Sequence, residues 1–203
     1  KYEIVKTDYL ISECTFGLPI FKWDQTKNIA INISNWINNS PDKTSLLFCY
    51  SLGKAQRLLN EISKTNFEGN IYTHGSINKM NDCYRQLGIC IKDTIKIENK
   101  KKIDDLKGNL ILLPPSLSKG SYLKNFKNIQ TAFASGWMSI RALRNRSGYD
   151  KGFAISDHAD WEGILEVVKK SEAKNVFFHH GDSEALSKYL SEKESINVLF
   201  FEK

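Results

Sequence analysis

Gly152-Phe153-Ala154-Ile155 runs into Ser156-Asp157-His158-Ala159-Asp160-Trp161, and Asn175-Val176-Phe177-Phe178 runs into His179-His180-Gly181-Asp182. Each is an apolar segment that ends in a polar, imidazole-bearing turn. Between them, Ile164, Leu165, Val167 and Val168 form the apolar side of a helix from Trp161 to Lys170. The stretch therefore reads as strand, helix, strand. If the two strands are parallel neighbours, His158 and His180 emerge at the same edge of one sheet, where open α/β sheets build their sites.

Working outward, the alternation continues. Tyr9-Leu10-Ile11 reads as a short buried strand ending at Ser12-Glu13, followed by a turn through Gly17 and Pro19. Ile29, Ile33, Trp36 and Ile37 recur at helical spacing, and Asn38-Asn39-Ser40-Pro41 stops that helix. Strands are predicted at Thr44–Tyr50, Asn70–Thr73, Leu110–Leu113, Thr131–Ala134, Tyr149–Ile155, Val176–Phe178 and Ile196–Phe201. Helices are predicted over 55–63, 77–87 and 183–191. The order predicts layered α/β structure. The run Lys100-Lys101-Lys102 is expected to be a solvated face rather than a recognition patch.

The 203 residues suffice for one large domain or two small ones. An apolar fraction of 41% excludes an intrinsically disordered chain. A net charge of +6 suits a polyanionic substrate without demanding one. Cys14, Cys49, Cys83 and Cys90 show no zinc-knuckle spacing, and each lies in or near an apolar run. Reduced core thiols and a cytoplasmic location are expected. No apolar run reaches membrane-spanning length and no secretory signal is visible. A start at Lys1, running at once into a strand, is expected of an excised or truncated piece.

Several residues carry candidate chemistry. His158, between two aspartates, suits a proton donor to a leaving oxygen if a carboxylate orients it, and Glu13 at a strand end can supply one. His180 at a strand end can reach a metal, and Asp182 can cap the next helix. His179 is expected on the opposite face, as a packing or surface residue. Ser51-Leu52-Gly53-Lys54 lacks the glycines and the Ser or Thr of a nucleotide-hydrolysing loop. Ser51 and Lys54 at a helix start suit a phosphate contact, or else an ordinary strand-helix turn. Ser135-Gly136, with Arg141, Arg144 and Arg146 beyond, suits a phosphodiester, or else a tight turn beside a solvated basic segment.

Five segments then resemble one family in content and order: Glu13-Cys14-Thr15-Phe16-Gly17-Leu18-Pro19, Tyr50-Ser51-Leu52-Gly53-Lys54-Ala55-Gln56-Arg57, Ala134-Ser135-Gly136-Trp137-Met138, Ser156-Asp157-His158-Ala159-Asp160-Trp161 and His180-Gly181. Over essentially the whole chain the sequence resembles the bacterial DNA-ligase-associated exonucleases of the metallo-β-lactamase superfamily, in its nucleic-acid-processing β-CASP branch. The resemblance implies an α/β fold, a parallel-sheet β-CASP domain (25–125) inserted in a partial metallo-β-lactamase αββα fold (1–24 and 126–203). It implies catalytic roles for His158 and Glu13, and a metal ligand in His180. Substrate contacts are implied at Ser51, Lys54, Ser135, Gly136 and Arg141, and at His74 within the inserted domain. Two divalent ions, zinc or manganese, would serve the complete enzyme, with DNA as substrate and a DNA ligase as associate.

The family's His-x-His-x-Asp-His motif does not occur in these 203 residues, whose only histidines are His74, His158, His179 and His180. Three readings stay open at this stage: part of an exonuclease, a non-catalytic nucleic-acid-binding fragment, or a structural half that needs the N-terminal half of the hydrolase domain as partner. RNA is the alternative substrate, since no residue here discriminates a 2′-hydroxyl.

Overall fold

The computed structural model describes residues 3–97 and 106–199. Lys100-Lys101-Lys102 lie outside the described residues, as does the end of the last predicted strand beyond residue 199. The chain divides into two compact units, residues 1–23 with 158–203 and residues 24–157.

In the larger unit, six parallel strands form one sheet. They are β2 (Thr44–Phe48), β3 (Ile71–Thr73), β4 (Ile95–Lys96), β5 (Leu110–Leu113), β6 (Ile129–Ala134) and β7 (Lys151–Phe153), in the order β4-β3-β5-β2-β6-β7. The central strands β2 and β5 are buried at every position, which is why Leu46-Leu47-Phe48 and Leu110-Ile111-Leu112-Leu113 read as unbroken apolar runs. Alternate residues face opposite layers. Leu47, Leu110, Leu112, Ala132 and Ala134 pack with Ile29 and Ile33 of α1 (Thr26–Asn38), with Leu58, Leu59 and Ile62 of α2 (Lys54–Ile62), and with Ile77 of α3 (Gly75–Gln86). Leu46, Phe48, Ile111 and Leu113 face a second cluster with Phe126, Tyr122 and Leu117, on short 3-10 turns and loops.

The smaller unit holds three parallel strands, β1 (Tyr9–Glu13), β8 (Asn175–His179) and β9 (Asn197–Leu199), ordered β1-β8-β9. Helices α5 (Trp161–Ser171) and α6 (Glu184–Lys193) cover one face, through Ile164, Val168, Leu186 and Leu190 against Val176 and Phe178. Leu10 joins this cluster. Its neighbours Tyr9 and Ile11, on the opposite face, are 62% and 64% exposed. Exposure of apolar side chains at Tyr9 and Ile11 departs from the usual two-sided cover of a parallel sheet.

Two expectations are corrected here, the pairing of the strands before His158 and His180 and the burial of all four cysteines. The strands before His158 and His180 are not neighbours: β7 pairs β6, and β8 pairs β1. The local pattern shows a strand-helix-strand unit but not which sheet each strand joins. The larger unit spans residues 24–157, with β6 paired to β2 from Thr44 to Phe48 and β7 paired to β6. Cys14 and Cys49 are buried as expected, whereas Cys83 and Cys90 are exposed. Cys83 falls on the outer side of α3, and the apolar neighbours of Cys90 include the half-exposed Ile89. The short helix α4 (Arg141–Arg146) is an element that periodicity did not reveal.

Candidate functional site

In the smaller unit the site forms where β1 and β8 end together. Glu13 is paired in register with His179. One carboxylate oxygen of Glu13 accepts the Thr15 backbone amide at 2.7 Å, and the other lies 3.2 Å from His158 Nδ1. An ionised carboxylate only accepts, so Nδ1 carries the ring proton. Partial burial pushes the Glu13 carboxyl up. Hydrogen bonding around Thr15, the contact with His158 and the charge of that imidazole outweigh this and hold it below its ordinary value of 4.5. The firm contact is the Thr15 amide. The Thr15 hydroxyl is buried beside the carboxylate but makes no hydrogen bond of good geometry.

The peptide after Glu13 is pinned from below. Cys14 N donates to His180 O at 3.0 Å. His180 has a left-handed backbone (φ 62°), and Gly181 follows at φ 117°. A Cβ on Gly181 would lie 2.5 Å from Cys14 O and 2.8 Å from Thr15 N, so only glycine permits this approach. The His180-Gly181 turn thus sets the level at which Glu13 leaves the sheet. Asp182 accepts the Glu184 amide at 3.0 Å and closes the start of α6, as its position suggested.

His180 and His179 are both exposed, with ring centres 6.4 Å apart. Among the described residues, no group of three or more His, Cys, Asp or Glu side chains is placed to hold a metal ion. A zinc site takes three or four protein ligands. One strand-end imidazole does not make up the two-metal site that the resemblance implies, and the residues present do not fit that group.

In the larger unit, Ser51, Lys54, His74, Ser135, Gly136 and Asp157 all follow the carboxyl ends of parallel strands. The sheet order reverses at β2, which lies between β5 and β6, and such a switch point favours ligand binding. The structure joins four of the six, in two pairs, Ser51 with His74 and Lys54 with Asp157. His74 Nδ1 accepts the Ser76 amide at 3.2 Å and lies 2.9 Å from the Ser76 hydroxyl, which is 3.0 Å from that of Ser51. Nδ1 is therefore the bare nitrogen and Nε2 bears the proton. Burial pushes the His74 pKa down. Lys54 is nearly enclosed, its side chain 5% exposed, with the ammonium 4.0 Å from Asp157 and 4.8 Å from the centre of the Tyr50 ring. Burial lowers its pKa, with Asp157 opposing the shift. Arg57 also reaches Asp157, at 3.5 Å, and donates to Ser156 O at 2.9 Å. Ser135 and Gly136 are buried after β6, whereas Arg141 is exposed at the start of α4.

Sequence reasoning missed Thr15, Ser76 and Asp157. A Ser or Thr two residues beyond Glu13 or His74 is the available signal, since such spacing suits local turn bonds. Asp157 offered none beyond its acidity.

Residues 152–200 match the Zn-dependent metallo-hydrolase RNA specificity domain. Over 188 residues the chain is 25% identical to a probable DNA ligase of Opitutus terrae, covering 92% of this chain and 18% of that protein. A crystal structure of a protein of unknown function from Enterococcus faecalis V583 superposes with a TM-score of 0.59 at 13% identity, over 98% of this chain and 51% of that one. The chain spans less than a fifth of the first relative and about half of the second. The structural likeness supports the α/β fold with parallel sheets, and the sequence matches associate the chain with nucleic-acid-processing metallo-hydrolases. Among the described residues no helix is long and apolar enough to cross a membrane.

Proposed function

We propose that this chain is the part of a metal-dependent nuclease that orients a phosphodiester of DNA and delivers a proton to the departing oxygen. The Glu13–His158 pair carries this reading. With Nδ1 held on Glu13 at 3.2 Å, Nε2 is the ring nitrogen turned to chemistry, and it hands its proton to the leaving oxygen as the P–O bond breaks. Glu13, ionised well into acid, keeps that orientation and offsets the charge of the imidazolium. Ser51 and His74 contact substrate phosphates through the relay at Ser76, with Nε2–H of His74 as donor. Lys54 acts through its field rather than by direct reach, and Ser135, Gly136 and Arg141 serve as further substrate contacts.

In this reading two divalent ions, zinc or manganese, would serve the complete enzyme, and His180 would be one ligand of a set that the described residues do not complete. The N-terminal half of the hydrolase domain would supply a second layer over Tyr9 and Ile11. RNA is the second reading, favoured by the RNA specificity domain matched at 152–200. Association with a DNA ligase is part of this reading, supported by the 25% identity to a probable DNA ligase.

The test is fluorescence anisotropy of labelled single-stranded DNA and RNA against the wild type, H158Q and E13Q. Binding that weakens on raising salt, and weakens further in both variants, is expected. Equal binding by all three proteins would remove His158 and Glu13 from the substrate site. Tighter binding of RNA than of DNA of the same sequence would select the second reading.

A further inference from the structure

His158 sits in an irregular segment between β7 and α5, and its side chain is half exposed. An imidazole there, held only by one 3.2 Å contact to a carboxylate, would sample several orientations. The surrounding contacts show what prevents this. The indole Nε1 of Trp23 donates to the His158 carbonyl at 2.9 Å. The backbone amide of Trp23 donates to Asp160 Oδ2 at 2.8 Å, while Asp160 Oδ1 accepts Gly163 N at 2.9 Å and caps α5. Trp161 N donates to Phe21 O at 3.3 Å. Residues 21–23 therefore run along residues 158–161 and are tied to them at three points.

The ring is held as well. Phe16 lies edge-on to His158, with centres 5.9 Å apart, and edge-on to both Phe21 and Trp23 at 4.8 Å. Phe16 comes from the same turn that supplies the Thr15 amide to Glu13. One aromatic cluster thus touches the imidazole, grips its backbone and borders the segment that fixes its carboxylate partner.

We propose that Trp23, acting with Phe16, is the positioning device of His158. The indole N–H fixes the height of the 158 carbonyl, the Phe16 edge fixes the plane of the ring, and together they keep Nδ1 on Glu13. Trp23 touches no reacting atom in this account. It acts through the orientation and the tautomer of another residue. The proposal rests on the reading of His158 as the proton donor, but its test does not.

The test is long-range 1H–15N NMR of the histidine rings in the full chain, with His158 assigned by its loss in H158Q. In the wild type, recorded in alkaline buffer so that the neutral ring is observed rather than the imidazolium that donates the proton, one His158 nitrogen is expected with the shift of a protonated atom and the other with that of a bare one. Trp23→Phe keeps a ring against Phe16 and removes the N–H. The two His158 nitrogens should then move toward each other as the tautomers mix, while the His74 signals stay in place. Phe16→Leu, which keeps the indole bond, should give a smaller change in the same direction and serves if Trp23→Phe does not fold. An unchanged His158 pattern in a folded Trp23→Phe or Phe16→Leu protein would overturn the proposal. If instead H158Q leaves nucleic-acid binding untouched, the functional reading fails while the ring spectrum still judges the clasp.

Discussion

Replacing Gly181 by alanine should strike the site from beneath without touching any side chain in it. Two costs add. The backbone at Gly181 has φ 117°, a conformation that costs an L-residue about 1–2 kcal/mol. The new Cβ would sit 2.5 Å from Cys14 O, 2.6 Å from Cys14 C and 2.8 Å from Thr15 N. All three are backbone atoms and none is the tip of a flexible side chain, so relief requires moving the Cys14–Thr15 peptide. Overpacking of this kind costs about 1–3 kcal/mol. The sum is about 2–5 kcal/mol, a large share of a typical folding free energy of about 5–15 kcal/mol. Gly148→Ala is the control, because Gly148 has φ 75° and nothing within 4 Å of an added Cβ, and should lose only the conformational part of about 1–2 kcal/mol. Urea unfolding, followed residue by residue through amide signals so that each unit reports for itself, measures both. The displaced peptide carries the Thr15 amide that bonds Glu13 at 2.7 Å, so Gly181→Ala should also raise the Glu13 pKa toward 4.5. Equal losses in the two variants, or a Glu13 titration that does not move, would refute the argument that the His180-Gly181 turn supports Glu13.

Four further outcomes are expected. His158→Ala removes a hydrogen bond and a positive neighbour, so the Glu13 pKa rises toward 4.5 by carboxyl 13C titration; a value unchanged from wild type would mean that Thr15 alone sets it. Because the folded value is depressed, the stability that Glu13 contributes is complete above pH 4.5 and lost as pH falls through that folded value, and Glu13→Gln should abolish this segment of the pH profile. Lys54 is also depressed, so between its folded value and 10.5 the unfolded chain holds the extra proton and stability climbs with pH; Lys54→Met should lack that climb and hold or gain up to about 1 kcal/mol at pH 7, since Arg57 still partners Asp157. Tyr9→Ser with Ile11→Ser, at positions 62% and 64% exposed, should change stability by less than about 0.5 kcal/mol each yet reduce concentration-dependent self-association in sedimentation velocity.

Much of the architecture was legible because it depends on local periodicity. The unbroken apolar runs at Leu46-Leu47-Phe48 and Leu110–Leu113 announce doubly covered central strands, and β2 and β5 are buried throughout. The α1 face at Ile29, Ile33 and Ile37 follows from spacing alone. What periodicity does not carry is which strand pairs with which. The apolar runs at 152–155 and 175–178 look alike, and only long-range pairing sends one beside β6 and the other beside β1. The pairing of Glu13 with His158 was foreseeable because it is complementary in chemistry and needs no knowledge of strand order. Its supports were not, since Gly181, Trp23 and the Thr15 amide act through backbone atoms and close approach, which leave little trace in a residue pattern.

The structure also separates two histidines that the sequence presents alike, each just after a strand. His74 holds its Nδ1 bare by accepting the Ser76 amide, and burial lowers its pKa, so it meets a ligand as a neutral imidazole donating through Nε2. A neutral ring of this kind suits binding, because a proton lost to a leaving group would have to come from an imidazole that burial disfavours in its charged form. His158 has the opposite arrangement, with Nδ1 protonated against a carboxylate held below its ordinary value by its hydrogen bonds and by the imidazole. A carboxylate in that place stabilises the charged ring, which is the state a proton donor starts from. The proposed division of labour, with His158 as acid and His74 as phosphate contact, rests on what each Nδ1 touches. Exchanging the environments would exchange the roles: Ser76→Asp would set a carboxylate beside His74 Nδ1, and should raise the His74 pKa while weakening anion binding there.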